Sequence, residues 1–239
     1  MAKIFGKILV VVAVLILIVV VVLGVIRFLQ VKRESSPETI AQRLELGKTY
    51  YDQATSGLKN GGFLKPEERK ALYESAITEL EKVAKYQQDN TEVLQKLAVS
   101  YYNLKDFNKA IEAYNKILQI DANNAVIHNN LANVYRDLEP TPDYVAAEKH
   151  YREAIAKNPQ LIVAYTNLAS MLRDRLKKSS EAIEVLDAGL VANTNSIDLL
   201  DMLASTYKLT GQTEESNKMY QKILELDPNN VNAKEALGL

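Results

Sequence analysis

The sequence predicts an all-α solenoid of five helical repeats preceded by one transmembrane helix. Two observations carry this reading. Leucine, a small residue and, three residues later, a tyrosine or leucine return about every 34 residues, inside the 20–50-residue period of stacked repeat arrays. The copies are Leu46-Gly47…Tyr50, Leu97-Ala98…Tyr101, Leu131-Ala132…Tyr135, Leu168-Ala169…Leu172 and Leu203-Ala204…Tyr207. A second small residue and then a bulky one follow each copy, as Ala110 and Tyr114 in the second and Ser216 and Tyr220 in the fifth. The other observation is the uncharged run from Ile8 to Ile26. As a helix it spans about 28 Å, close to a hydrocarbon core of roughly 30 Å.

That run is apolar on every side, whereas a core helix shows one apolar stripe. A cleaved signal peptide would have a shorter apolar region closed by a small-x-small site. Here Arg27-Phe28-Leu29-Gln30-Val31-Lys32-Arg33 follows instead. Residues 1–7 therefore read as a tail, 8–26 as a single-span anchor in a lipid bilayer, and 27–39 as a juxtamembrane segment. Lys3 and Lys7 nearly balance Arg27, Lys32 and Arg33, so the positive-inside rule leaves both orientations open. The short tail favours a cytoplasmic N-terminus and exported repeats. Ser35-Ser36-Pro37-Glu38 reads as a helix start, with a serine cap, proline in the first turn and an acid against the helix dipole.

The repeats divide as 40–90, 91–124, 125–161, 162–196 and 197–230, with a partial capping helix at 231–239. The first is long: Gly57, Gly61 and Gly62 break it between two extended helices, leaving a loop with Leu58, Phe63 and Leu64. In the third, Pro140 and Pro142 are expected to stop one helix and start the next. The fourth holds one extra residue, placed near Lys177-Lys178-Ser179-Ser180. Small residues at the recurring positions let paired helices approach within about 8–10 Å.

Composition narrows the function. A net charge of −1 offers no basic field for nucleic acid. With no cysteine there is neither a disulfide framework nor a thiol nucleophile. His128 and His150 are the only histidines and lack metal-ligand companions at helical spacing, so they read as packing or surface residues. Gly61-Gly62 lacks the context of a phosphate loop. No metal, cofactor or enzymatic activity is expected.

Over 40–239 the chain resembles the tetratricopeptide repeat family, with Pro159 and Pro228 at the closing position. It departs from the pattern at Arg43 and His128, where the family often has a bulky residue, at Ala122, which replaces a closing proline, and at Gly189, which marks repeat four as the soft unit. The resemblance implies a right-handed superhelix of helix–turn–helix units, whose first helices line a concave groove for a protein or extended peptide. Its groove positions here are Gln95, Lys96, Val99, Tyr102 and Asn103 in repeat two, and Asn129, Asn130, Asn133 and Arg136 in repeat three. Repeat four offers Thr166, Asn167, Ser170 and Arg173, and repeat five Asp201, Met202, Ser205 and Lys208. Asn130 and Asn167 are equivalent and resemble the asparagine ladder with which some members hold a peptide backbone. The family's carboxylate clamp is absent, because its cation positions hold Gln95, Val163 and Asn167 in one frame and Asn129, Asp198 and Met202 in the other. An anchor followed by repeats also looks like bacterial inner-membrane proteins of secretion or envelope assembly, with the repeats extracytoplasmic. The rival reading is self-association head to tail into an oligomer or filament through the repeat ends.

Overall fold

The computed structural model describes residues 2–59 and 62–239, with side chains for 15–58 and 62–239. Met1, the side chains of Lys3, Lys7 and residues 8–14, and Asn60-Gly61 of the first loop lie outside the described residues. The chain divides into two compact units, Met1–Lys96 and Leu97–Leu239.

In the first unit, α1 (Ala2–Glu34) is one uninterrupted helix. It is long and apolar enough to cross a membrane: within Leu15–Glu34 an 18-residue stretch has a mean hydropathy of 2.5 and none of it is buried. The helix continues past the apolar run through Arg27 to Glu34, so only Ser35 and Ser36 separate it from α2 (Pro37–Ser56). The serine start is as read: the Ser36 hydroxyl accepts the Thr39 N–H at 3.2 Å, and Pro37 occupies the first turn. α2 ends on Gly57, whose φ of +66° is a left-handed conformation suited to glycine.

Leu58–Lys59 (β1) pairs antiparallel with Gly62–Phe63 (β2), a ladder that the loop assignment did not anticipate. It leaves Phe63 exposed and tucks Leu64 into the core. α3 (Pro66–Ala84) then packs back on α2. At Gly47 an added Cβ would stand 2.7 Å from Leu80 Cγ, so glycine is required for this approach. Arg43, one of the departures from the repeat pattern, bonds Glu79 at 2.7 Å, and Lys82 bonds the same carboxylate. Burial opposes the Glu79 charge, but these two cations outweigh it and hold the carboxyl below its ordinary range.

α4 (Thr91–Asn103) carries the boundary between the units. The second unit continues with α5 (Phe107–Ile120), α6 (Ala125–Asp137), α7 (Tyr144–Lys157), α8 (Ile162–Ser170), α9 (Ser179–Ala192), α10 (Ile197–Leu209), α11 (Thr213–Leu226) and α12 (Val231–Leu237). Asp106, Asn124, Asp143, Ser196 and Asn230 each cap a helix by accepting the N–H three residues on. In repeat three, α7 starts at the Asp143 cap rather than at Pro142, because the aspartate side chain satisfies the first-turn N–H groups.

The recurring small residues are the packing points. Ala98, Ala132, Ala169 and Ala204 are buried, as are Ala110, Ala147, Ala182 and Ser216 opposite them. Tyr151, Leu168, Leu172, Leu186, Leu199 and Leu203 fill one cluster spanning repeats three to five. Each such leucine contributes about 1.5–3 kcal/mol on burial. Gly189 belongs here as well: its Cβ would lie 3.0 Å from Tyr165 Cγ and 3.1 Å from Leu199 Cδ1. It is a tight contact, not a slack point. The extra residue of repeat four is taken up earlier than expected, in a π-helical turn, Met171–Arg175, that extends α8. The fold is all-α apart from the β1–β2 ladder among the described residues.

Candidate functional site

Positions on the first helix of each repeat are compared here by their offset from the small residue. In repeats three and four, four residues past Ala132 and Ala169, stand Arg136 and Arg173, each followed by an aspartate, Asp137 and Asp174. Both pairs close as two-point forks. Arg136 reaches Asp137 at 2.9 and 2.7 Å, and Arg173 reaches Asp174 at 2.7 and 3.0 Å. A fork of this kind is among the stronger charge-assisted hydrogen bonds.

Each fork also ties neighbouring helices together. Tyr102 donates its hydroxyl to Asp137 at 2.6 Å, across one repeat. Arg136 donates to the Tyr151 hydroxyl at 3.1 Å, and Tyr151 donates in turn to Asn133 Oδ1 at 2.6 Å. Arg173 reaches forward to Ser205 Oγ at 3.1 Å and Thr206 Oγ1 at 3.2 Å on α10. Burial and the Asp137 hydrogen bond push the Tyr102 hydroxyl up to about 12. Burial works against Asp137 as well, but Arg136 and Tyr102 outweigh it and keep the carboxyl below its ordinary range.

Next to the forks lie the amides. Asn167 Nδ2 donates to Asn129 Oδ1 at 3.0 Å, joining α8 to α6. Asn129 is 4 % exposed, and its own Nδ2 stands 3.4 Å from Asn130 Oδ1. Asn130 is half-buried, and its nitrogen donates no hydrogen bond among the described residues. Ser170 donates to Asp174 at 3.1 Å, and the exposed Asn103 donates to the Val99 carbonyl at 2.8 Å. In the first unit, Lys96 sits 4.3 Å above the Tyr51 ring and 3.3 Å from Asp52, while Gln95 is exposed.

The structure thus brings Asn129, Asn130, Asn133, Arg136, Asn167, Ser170 and Arg173 onto the first-helix face of repeats three and four. Arg136, Arg173 and Asn133 are occupied by partners within the chain. Asp137, Asp174 and Tyr151 escaped the sequence reading. Adjacent residues on a helix do not ordinarily face each other, so Arg-Asp pairs carry no helical-spacing signal. Their recurrence at equal offsets was the signal available. Among the described residues no group of three or more histidine, cysteine or acidic side chains is placed to hold a metal.

The tetratricopeptide repeat family matches this chain at residues 91–124 and again at 197–230. The chain carries tetratricopeptide repeats. Solved structures share the fold. MamA aligns with a TM-score of 0.56 at 24% identity, covering 72% of this chain and 99% of that one. TTC0263, a thermophilic tetratricopeptide repeat protein of Thermus thermophilus, aligns with a TM-score of 0.53 at 20% identity, covering 84% and 100%. At such identities the likeness carries the fold alone. DnaJ homolog subfamily C member 3 of Gallus gallus is 23% identical over 175 residues, 68% of this chain and 35% of its own length. Stress-induced-phosphoprotein 1 of Caenorhabditis elegans is 24% identical over 134 residues, 56% and 41%. The chain therefore spans well under half the length of these curated relatives. Tetratricopeptide repeats mediate protein–protein interaction.

Proposed function

We propose that this protein is a membrane-anchored scaffold whose first-helix face binds an extended segment of a partner protein. The observation that carries the reading is the amide row Asn129–Asn130–Asn167, flanked by arginines that the chain's own aspartates neutralise. A face with amides to offer and its charge cancelled suits a peptide backbone better than an acidic terminus. The groove residues of the second unit are Tyr102, Asn103, Asn129, Asn130, Asn133, Arg136, Asn167, Ser170 and Arg173, and Gln95 and Lys96 are the candidate binding residues of the first unit. Those with inward partners shape the groove, and Asn130 is the side chain best placed to meet a partner. Residues 8–26 supply the anchor, with the repeats on the extracytoplasmic side of a bacterial inner membrane, in envelope assembly or secretion.

A photo-crosslinking residue at position 130 tests this in native membranes against one at the exposed Glu184 on α9. A discrete adduct from 130 alone is the expected result, and identical adducts from both overturn it. Once the partner is known, Asn130→Ala weakens its binding by roughly 1–3 kcal/mol, the cost of an unsatisfied buried polar group. Protease added outside spheroplasts should digest the repeats; protection there would reverse the orientation.

Head-to-tail self-association is the second reading. α12 weighs against it, because Ala233 packs with Leu200, Ala204, Tyr220 and Ile223 and covers the last repeat. Light scattering on the protein in detergent decides: a monomer fits the scaffold and a growing series fits the polymer.

A further inference from the structure

The two histidines, read from the sequence as packing or surface residues, meet between α6 and α7. His128 and His150 bring their Nδ1 atoms to 3.1 Å, with the rings stacked at 5.4 Å. The Tyr135 ring stacks on His150 at 5.6 Å with an interplanar angle of 1°. His128 Nε2 stands 3.2 Å from the Ala122 carbonyl, in the turn before α6. That carbonyl can only accept, so Nε2 carries the hydrogen and neutral His128 presents a bare Nδ1. His150 must then donate from its own Nδ1, leaving the lone pair on Nε2. One chain of bonds thus fastens the turn, α6 and α7, and the residue after His128 is the buried Asn129.

Protonation acts on this chain in two unequal steps. A first proton on His150 Nε2 leaves the Nδ1–H···Nδ1 bond intact and makes its donor cationic. A second, on His128 Nδ1, sets two N–H groups against each other at a separation that requires one donor and one acceptor. We propose that the His128–His150 pair is a proton-operated joint, holding repeat three together with no proton or one bound and opening at the second. This goes beyond the scaffold reading and stands whether or not the groove binds a partner.

The charges around His150 are of both signs. Lys149 repels a charge on His150 and Glu153 favours it, both on α7. On α6, Arg136 and Asp137 are bonded to each other. Asp121, in the turn, accepts from the Asn123 N–H and the Asn124 amide. α8 carries no charged residue, and Lys109, Glu112 and Lys116 of α5, which packs on α6, are exposed. Burial, then His128 and Lys149, push His150 below its ordinary 6.5. The unfolded chain protonates His150 near 6.5 while folded His150 resists, so its contribution to stability is whole above 6.5 and declines as the pH falls below it.

Hydrogen exchange of the full chain in detergent micelles, corrected for intrinsic rates, tests the joint between neutral pH and about pH 5. Exchange in Ala125–Asp137 and Tyr144–Lys157 should rise about tenfold or more in acid, while α10 and α11 keep their rates. His150→Gln retains a donor towards His128, and its amide can turn its oxygen when His128 is protonated, so this variant should lose the acid response. Acid-independent exchange in the wild-type helices overturns the joint, and so does an undiminished response in the variant. Should His150→Gln fail to fold, the wild-type pattern decides: opening confined to 125–157 supports the joint, and uniform opening across the unit overturns it.

Discussion

At the scale of single residues, the recurring small side chains are where this sequence tolerates least. Gly47→Ala gains up to about 1 kcal/mol of helix propensity. It also drives a methyl group against Leu80, a fully buried side chain with no room to retreat. Overpacking of that kind costs about 1–3 kcal/mol, so the contact outweighs the propensity. A lower denaturant midpoint than wild type is the expected outcome. Ser216→Ala should behave differently. The serine hydroxyl donates to the Ala204 carbonyl at 2.9 Å, a single neutral hydrogen bond whose loss costs about 1 kcal/mol or less. Asp137→Asn probes the fork. Its folded carboxyl lies below the ordinary 3.8, so its contribution is present above 3.8 and vanishes as the pH falls through the folded value. The variant should be about 1–3 kcal/mol less stable at neutral pH and converge with wild type in strong acid, as urea titrations at each pH would record.

Helices begin where a short polar side chain can take the first free N–H groups, and the caps at Ser36, Asp106, Asn124, Asp143, Ser196 and Asn230 all do so. Ser36 matters beyond α2, since it is one of two residues between the long apolar helix and the repeats. Ser36→Ala should cost about 1 kcal/mol. The loss should concentrate in faster amide exchange over the first turn of α2, and a uniform change across the chain would argue against a capping role. The π-helical turn at Met171–Arg175 shows how an element absorbs an insertion: one wider turn keeps Ala169 and Ala182 both buried despite the added residue. From composition alone that residue belonged in the following turn, beside Lys177 and Ser179.

The whole molecule, with a net charge of −1, combines an apolar helix with a repeat array. The scaffold reading predicts that the full chain stays with membranes through an alkaline carbonate wash, while a chain beginning at Ser35 is soluble and keeps its helical signal. Recovery of the intact full-length chain in the supernatant would remove the anchor from the proposal. The helical repeats and their packing alanines were legible in the sequence, because each unit buries its face only against its neighbours and the same small residues must recur. The span of apolar residues was legible for a similar reason, since length and composition alone set whether a helix matches a hydrocarbon core. What only the tertiary structure decided lies across repeats or within one turn. The Arg–Asp forks join adjacent residues to a tyrosine one repeat earlier or to a serine and a threonine one repeat later. The His128–His150 pair joins side chains 22 residues apart on two helices. Helical periodicity reports which face a residue occupies, and hydrogen bonds between side chains depend on distances that only the packed helices establish.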